Sequence, residues 1–282
     1  MKFLGTDFTL EESNVVVFGI PLGKNSVNSL ESIRRASNFV EPMDLDSEIN
    51  LLEKIKTFDT GNIKLNSLDE ITEQIKKILG MKKIPLMLGG NHLSSYYSAR
   101  AFRNVKLIVF DAHGDFKKSY DDEKIRGMNY AEGIEYNPKL CDATWLNRIS
   151  EIIPPENIML LGVRSCDEFE FNDLKKSGIQ YFTSRQMIDD PEYVMETLES
   201  FTRNSDVYVS LDFDVFDPSV APAVDMPEPD GISFRDFQDS IKSIRGKIVG
   251  MDLCCLNSME GNEISEFLAV RSLFEMLNII KV

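Results

Sequence analysis

Short apolar runs alternating with longer amphipathic segments from end to end predict an α/β protein, with a parallel sheet covered by crossover helices on both faces. No linker rich in glycine, serine or proline, no internal repeat and no low-complexity tract interrupts the 282 residues, so a single domain over 1–282 is expected. Histidines and aspartates gather just past the ends of three apolar runs, which is where open α/β sheets bind their ligands.

In chain order, strands are expected at 15–20, 85–88, 106–110, 157–162, 206–211 and 247–253, each brief and rich in Val, Ile or Leu. Helices are expected between them at 30–38, 68–79, 94–103, 168–177, 191–203, 233–244 and 263–280. The segments 117–142 and 217–231 carry the densest turn chemistry and read as long surface loops.

Composition excludes several classes. An apolar fraction of 43% with 27% charged residues belongs to a globular chain, not a disordered or fibrous one. No apolar stretch is long enough to span a bilayer and the N-terminal MKFLGTDFTLEESN lacks the apolar core of a signal peptide, so a cytoplasmic location and no membrane partner are expected. A net charge of −15 opposes contact with a phosphate backbone, which argues against nucleic acid. That charge is either ordinary solvated surface or an attraction for cationic small molecules. Cys141, Cys166, Cys254 and Cys255 form no CxxC pair and read as reduced thiols, not as a structural zinc site.

Three motifs carry chemistry. PLMLGGNH ends in His92, LIVFDAHGD places Asp111, His113 and Asp115 after a strand, and VYVSLDFDVFDP does the same for Asp212 and Asp214. Residues at i and i+2 of an extended segment point to one side, so Asp111 converges with His113 and Asp212 with Asp214, and Asp115 joins if the backbone stays near-extended. Carboxylates crowded at the end of a buried strand repel one another and resist desolvation unless a cation lies among them. Capping or turn initiation explains Asp217 before Pro218 better than it explains the Asp212 and Asp214 pair. The chain has two histidines, and both sit in these motifs. Two imidazoles and four carboxylates without a thiolate suit a pair of hard or borderline divalent ions, Mn²⁺ most naturally, with Zn²⁺, Co²⁺ and Ni²⁺ also compatible with the ligand types.

These residues resemble the ureohydrolase family, which includes arginase and agmatinase. GGNH at 89–92 is similar to the family's GGDH, DAHGD at 111–115 to its DAHxD, and SLDFDVFDP at 210–218 to its SxDxDxxDP. The resemblance extends through ESIRRAS at 31–37, FDTGNI at 58–63 and PAVDMPEPDGIS at 222–233. It implies an arginase-like, three-layer αβα fold around a parallel sheet of about eight strands, a binuclear manganese centre, and a homo-oligomer, a trimer or hexamer. By the same resemblance His92 and Asp115 would hold one ion, His113 and Asp214 the other, and Asp111 and Asp212 would bridge. A bridging hydroxide would attack a guanidine or amidine carbon of a cationic small molecule, with Asp115 passing a proton to the departing amine.

Four positions around the expected substrate site depart from the family pattern. Cys255 stands where the family has the Glu that grips the guanidinium, and a thiol offers no planar bidentate acceptor. Asn129, in RGMNYAEG, is the nearest counterpart of a loop His that assists proton transfer. Val224 and Asp225 replace a Thr–Gly pair at the pocket rim. Asn129, Cys255 and Asp225 are therefore the candidate substrate-contacting residues, although Cys255 also reads as a small buried hydrophobe. Trp145 is expected in the core. Agmatinase-type hydrolysis leads. Hydrolysis of a different formimino or amidine compound, or a metal-binding homologue without turnover, are the alternatives.

Overall fold

The computed structural model describes residues 1–122 and 134–281. Eight parallel strands form one sheet: β1 (Val15–Ile20), β2 (Thr57–Asn62), β3 (Ile84–Gly89), β4 (Lys106–Phe110), β5 (Ile158–Val163), β6 (Gln180–Thr183), β7 (Asp206–Asp212) and β8 (Lys247–Cys254). Their spatial order is β2-β1-β3-β8-β7-β4-β5-β6. The main helices are α1 (Ser26–Ser37), α2 (Asp69–Gly80), α3 (Leu93–Ala99), α4 (Glu168–Ser177), α5 (Pro191–Thr202), α6 (Phe234–Ser243) and α7 (Ile264–Asn278).

Successive side chains of one strand enter different cores, as the strand period of two requires. Val15 and Val17 join one apolar cluster while Val16, Phe18 and Ile20 join the other, and Ile108 and Phe110 part in the same way from Leu107 and Val109. The first cluster is closed by α1, α5, α6 and α7, through residues such as Ile33, Leu198, Phe237 and Leu273. The second is closed by α2, α3, the short helix Trp145–Ile149 and α4, through Ile75, Leu93, Trp145 and Leu174. Helices on both faces of the sheet make the three-layer αβα architecture expected above.

The six expected strands are present, with ends moved by no more than one residue. Two edge strands, β2 and β6, were not expected. Thr57–Asn62 is too polar to read as a strand, and its Asp59 is buried in a pair with Arg34 of α1, with Nε 2.7 Å from Oδ2. The helix expected at 94–103 ends at Ala99, and the amides of Ala101 and Phe102 turn back to Ser98 and Ala99. Among the described residues no helix is long and apolar enough to cross a membrane.

Candidate metal centre

The strand order places the carboxyl ends of β3, β8, β7 and β4 side by side at the middle of the sheet. Register then sets the candidate ligand residues. Phe110 pairs with Leu211 and Cys254 with Asp212, so Asp111 and Asp212 leave adjacent strands about 4.8 Å apart. Beyond β3 the chain turns at Gly90, where a Cβ would stand 1.9 Å from the Leu22 carbonyl oxygen. That turn delivers His92 to the N-terminus of α3.

The convergence expected of extended backbone is achieved differently. Asp111 Oδ1 accepts the amide of His113 at 2.7 Å, and Asp212 Oδ1 that of Asp214 at 2.9 Å, so each pair is held by an Asx turn. Asp115 does not continue an extended run; its φ of 47° is left-handed and swings it back over the site. Gly114 leaves room for neighbours packed against this turn, since a Cβ there would meet Cys166 Sγ at 2.6 Å. The turn is secured by Glu170 of α4, which accepts the Phe116 amide at 2.8 Å, and by the Asp115 carbonyl, which accepts the Leu146 amide at 3.1 Å.

Six side chains meet here. His92 Nδ1 lies 2.9 Å from Asp111 Oδ2, 3.1 Å from Asp212 Oδ2 and 3.3 Å from Asp115 Oδ2. His113 Nδ1 lies 2.9 Å from Asp214 Oδ2 and 3.7 Å from Asp111 Oδ1. Asp111 thus offers one oxygen to each group, His92–Asp111–Asp212 and Asp111–His113–Asp214. Asp115 stands beside the first through its contact with His92.

The donor set fits a cation. Asp252, buried on β8, accepts hydroxyls from Ser95 at 2.9 Å, Ser210 at 2.8 Å and Tyr208. Ser210 has one proton and spends it on Asp252, so its oxygen accepts from His92 Nε2, 3.0 Å away. A neutral His92 then presents Nδ1 as a bare lone pair facing three carboxylates. Both His92 Nδ1 and Asp111 Oδ2 are buried without a hydrogen-bond partner. Acceptors aimed at acceptors in a dry site call for an ion between them.

Electrostatics describe the same conflict. Burial opposes charge on His92 and His113, yet Asp212 and Asp111 hold the first well above the usual imidazole range, and hydrogen bonds to Asp111 and Asp214 push the second up to about 12. Burial and the charges of Asp212 and Asp111 push Asp214 up to about 8, and burial with Asp111 raises Asp115 as well. Burial also works against charge on Asp111, but the two histidines outweigh it and lower its carboxyl. Without an ion the cluster keeps protons to balance itself.

The candidate substrate-contacting residues fall in different places. Asn129 lies outside the described residues. Cys255 follows β8 in a left-handed conformation, φ 67°, with its amide donating to the Gly90 carbonyl at 2.9 Å. It is partly buried beside the ligands, and burial and Asp212 push its thiol up, so it remains neutral. Asp225 is exposed on the 222–233 loop and accepts from Asn257 Nδ2. Motif reading alone missed three other residues. Trp145 is a core residue as expected, but its Nε1 also donates to Asp115 Oδ2 at 3.0 Å. Asp252 orients His92 through Ser210, and Glu228 approaches His113. The acid of the PEPDG loop was the one visible signal for the last of these.

The match to known proteins agrees with this geometry. The sequence model of the arginase family covers residues 13–278. An agmatinase of Bacillus cereus is 32% identical over 89% of this chain and 86% of its own length. The crystal structure of agmatine ureohydrolase of Thermoplasma volcanium superposes with a TM-score of 0.83 at 27% identity, covering 98% of this chain and 92% of that one. Formimidoylglutamase from Bacillus subtilis shares the fold, with a TM-score of 0.79 at 19% identity over 99% of this chain and 91% of that one. The chain belongs to the arginase family of hydrolases.

Proposed function

We propose that this protein is a binuclear-metal amidinohydrolase that cleaves a linear C–N bond of a guanidino or amidine compound, with Mn²⁺ as the natural pair of ions. The observation that carries the reading is His92 Nδ1, buried without a hydrogen-bond partner and facing Asp111, Asp115 and Asp212. His92, Asp111, Asp115 and Asp212 would hold one ion, and Asp111, His113, Asp212 and Asp214 the other, with Asp111 and Asp212 shared. Two such ions supply an acidified water and Lewis-acid stabilisation of a tetrahedral carbon.

The chain's own groups would do the rest. Asp115, steadied by Trp145 Nε1 and set beside His92, would pass a proton to a departing amine. The Ser210–Asp252 relay keeps His92 in the tautomer the site needs.

One observation favours a substrate other than agmatine. Cys255 presents a neutral thiol beside the ligand cluster, where the family pattern has a carboxylate for the guanidinium. That exchange fits a different guanidino, formimino or amidine compound, gripped by other groups of the pocket. The test is a screen of manganese-loaded protein against guanidino and formimino compounds, reading urea, ammonia and formamide. Release of any one of them, lost in Asp111→Asn, supports the class; silence across the screen from fully loaded protein contradicts it.

A further inference from the structure

We propose that Glu228 is a positioning residue for the His113 half of the metal centre: its carboxylate accepts from the Nε2–H of His113, holding the ring proton there and leaving Nδ1 bare for an ion. This rests on the two-ion reading above and assigns a role to a residue that reading does not use.

A neutral imidazole carries one ring proton, and whichever nitrogen has a firm acceptor keeps it. For His92 the acceptor is Ser210, backed by Asp252. His113 has the same need on the opposite side of the site. Its Nδ1 points at Asp214 Oδ2, 2.9 Å away, and its Nε2 points outward to Glu228 Oε1 at 3.9 Å. That gap is ion-pair distance, and a small side-chain rotation or one bridging water closes it.

Glu228 is held in place from two directions. Ser165 Oγ donates to Glu228 Oε1 at 2.9 Å, and Ser165 is itself bridged through its backbone to His113. The Arg164 guanidinium donates to the carbonyls of Glu228 at 2.9 Å and Pro229 at 3.1 Å, and from the same Nη2 to the carbonyl of Asp214 at 2.8 Å. One cation thus ties the loop bearing Glu228 to the segment bearing an ion ligand of His113. Ligand, acceptor and loop are set against one another by backbone contacts.

The two histidines differ in exposure. The His92 side chain is 1% exposed and its relay is buried, whereas His113 is 23% and Glu228 37% exposed. The His113 side of the cluster is thus the one open to solvent, and Glu228 acts on the ion held there.

The test is calorimetric titration of chelator-stripped protein with Mn²⁺, for the wild type, Glu228→Leu and Glu228→Gln. Two equivalents are expected in the wild type. In Glu228→Leu one of the two should loosen by roughly 10- to 100-fold with the other unchanged, and in Glu228→Gln, which keeps an acceptor oxygen, by less. Since the chain has two histidines, ¹⁵N spectra of zinc-loaded protein should show two imidazole Nε2–H signals, of which Glu228→Leu moves one. Two wild-type equivalents with unchanged variants overturn the role of Glu228 alone. Equal loosening of both equivalents with a lower Tm of stripped protein means a folding role and overturns it too. A single wild-type equivalent overturns the two-ion reading and this inference with it.

Discussion

Raising the pH should destabilise the metal-free protein and leave the metal-loaded protein nearly untouched. Burial, with Asp212 and Asp111 nearby, pushes Asp214 from an ordinary 3.8 to about 8 in the folded chain. A group whose folded pKa is raised contributes stability that is fully present below its unfolded pKa and is lost as pH rises through the folded one. The window for Asp214 is therefore about pH 4 to 8. His113, pushed from 6.5 up to about 12, adds a loss of the same sign from pH 6.5 upward. Asp111, lowered, acts in the opposite sense only at acid pH, below its ordinary 3.8. A shift of roughly four units at about 1.36 kcal/mol each sets a ceiling near 6 kcal/mol for Asp214. A third of that, about 2 kcal/mol, moves the Tm of a chain this size by roughly 4 °C. Divalent ions replace the protons, so binding tightens as pH rises and the loaded protein escapes the loss. Scanning calorimetry of chelator-stripped and Mn²⁺-loaded protein at pH 5, 6, 7 and 8, at fixed ionic strength, measures both. A stripped Tm that is flat or rising, or a gap between the two forms that does not widen with pH, would refute the reasoning.

Three substitutions probe separate parts of the site. Asp111→Asn should release metal to a chelator faster than Asp115→Asn, because Asp111 offers an oxygen to each ligand group and Asp115 contacts one; the reverse order would mean that Asp111 is not shared. Ser210→Ala strands the buried His92 Nε2–H, which costs about 1–3 kcal/mol, so one Mn²⁺ equivalent should weaken on the order of 10- to 100-fold in a titration; two unchanged equivalents would remove the relay from the account. Cys255→Glu should raise kcat/KM for agmatine, since losing a desolvated acceptor for a guanidinium costs roughly 2–5 kcal/mol, equivalent to tens to thousands of fold. Residue 255 is left-handed with either side chain, so the exchange adds no new backbone strain. Wild-type turnover of agmatine that Cys255→Glu leaves unchanged would point to a different guanidinium partner.

The centre of the fold was legible because β1, β3, β4, β5, β7 and β8 are mostly apolar and almost wholly buried, as a sheet covered on both faces requires. The edges were not. β2 hides its polarity in a pair with Arg34, a contact between residues far apart in sequence. At the site, residue type and strand ends named the six side chains that meet, but not the means. Asp115 arrives by a left-handed turn held by Glu170 and Leu146, and Asp111 and Asp212 turn on their own Asx bonds. Motifs also do not reveal which polar neighbour fixes a tautomer. Ser210 and Asp252 lie on adjacent strands and meet only through register, and Glu228 reaches His113 only because Arg164 ties its loop down.

The central claim is two ions in one cluster, and anomalous scattering at the manganese edge from crystals of Mn²⁺-loaded protein tests it most directly. The account predicts two peaks about 3.5–4 Å apart, one bounded by His92, Asp111, Asp115 and Asp212 and the other by Asp111, His113, Asp212 and Asp214. A single peak at full loading, or peaks away from these side chains, would contradict it.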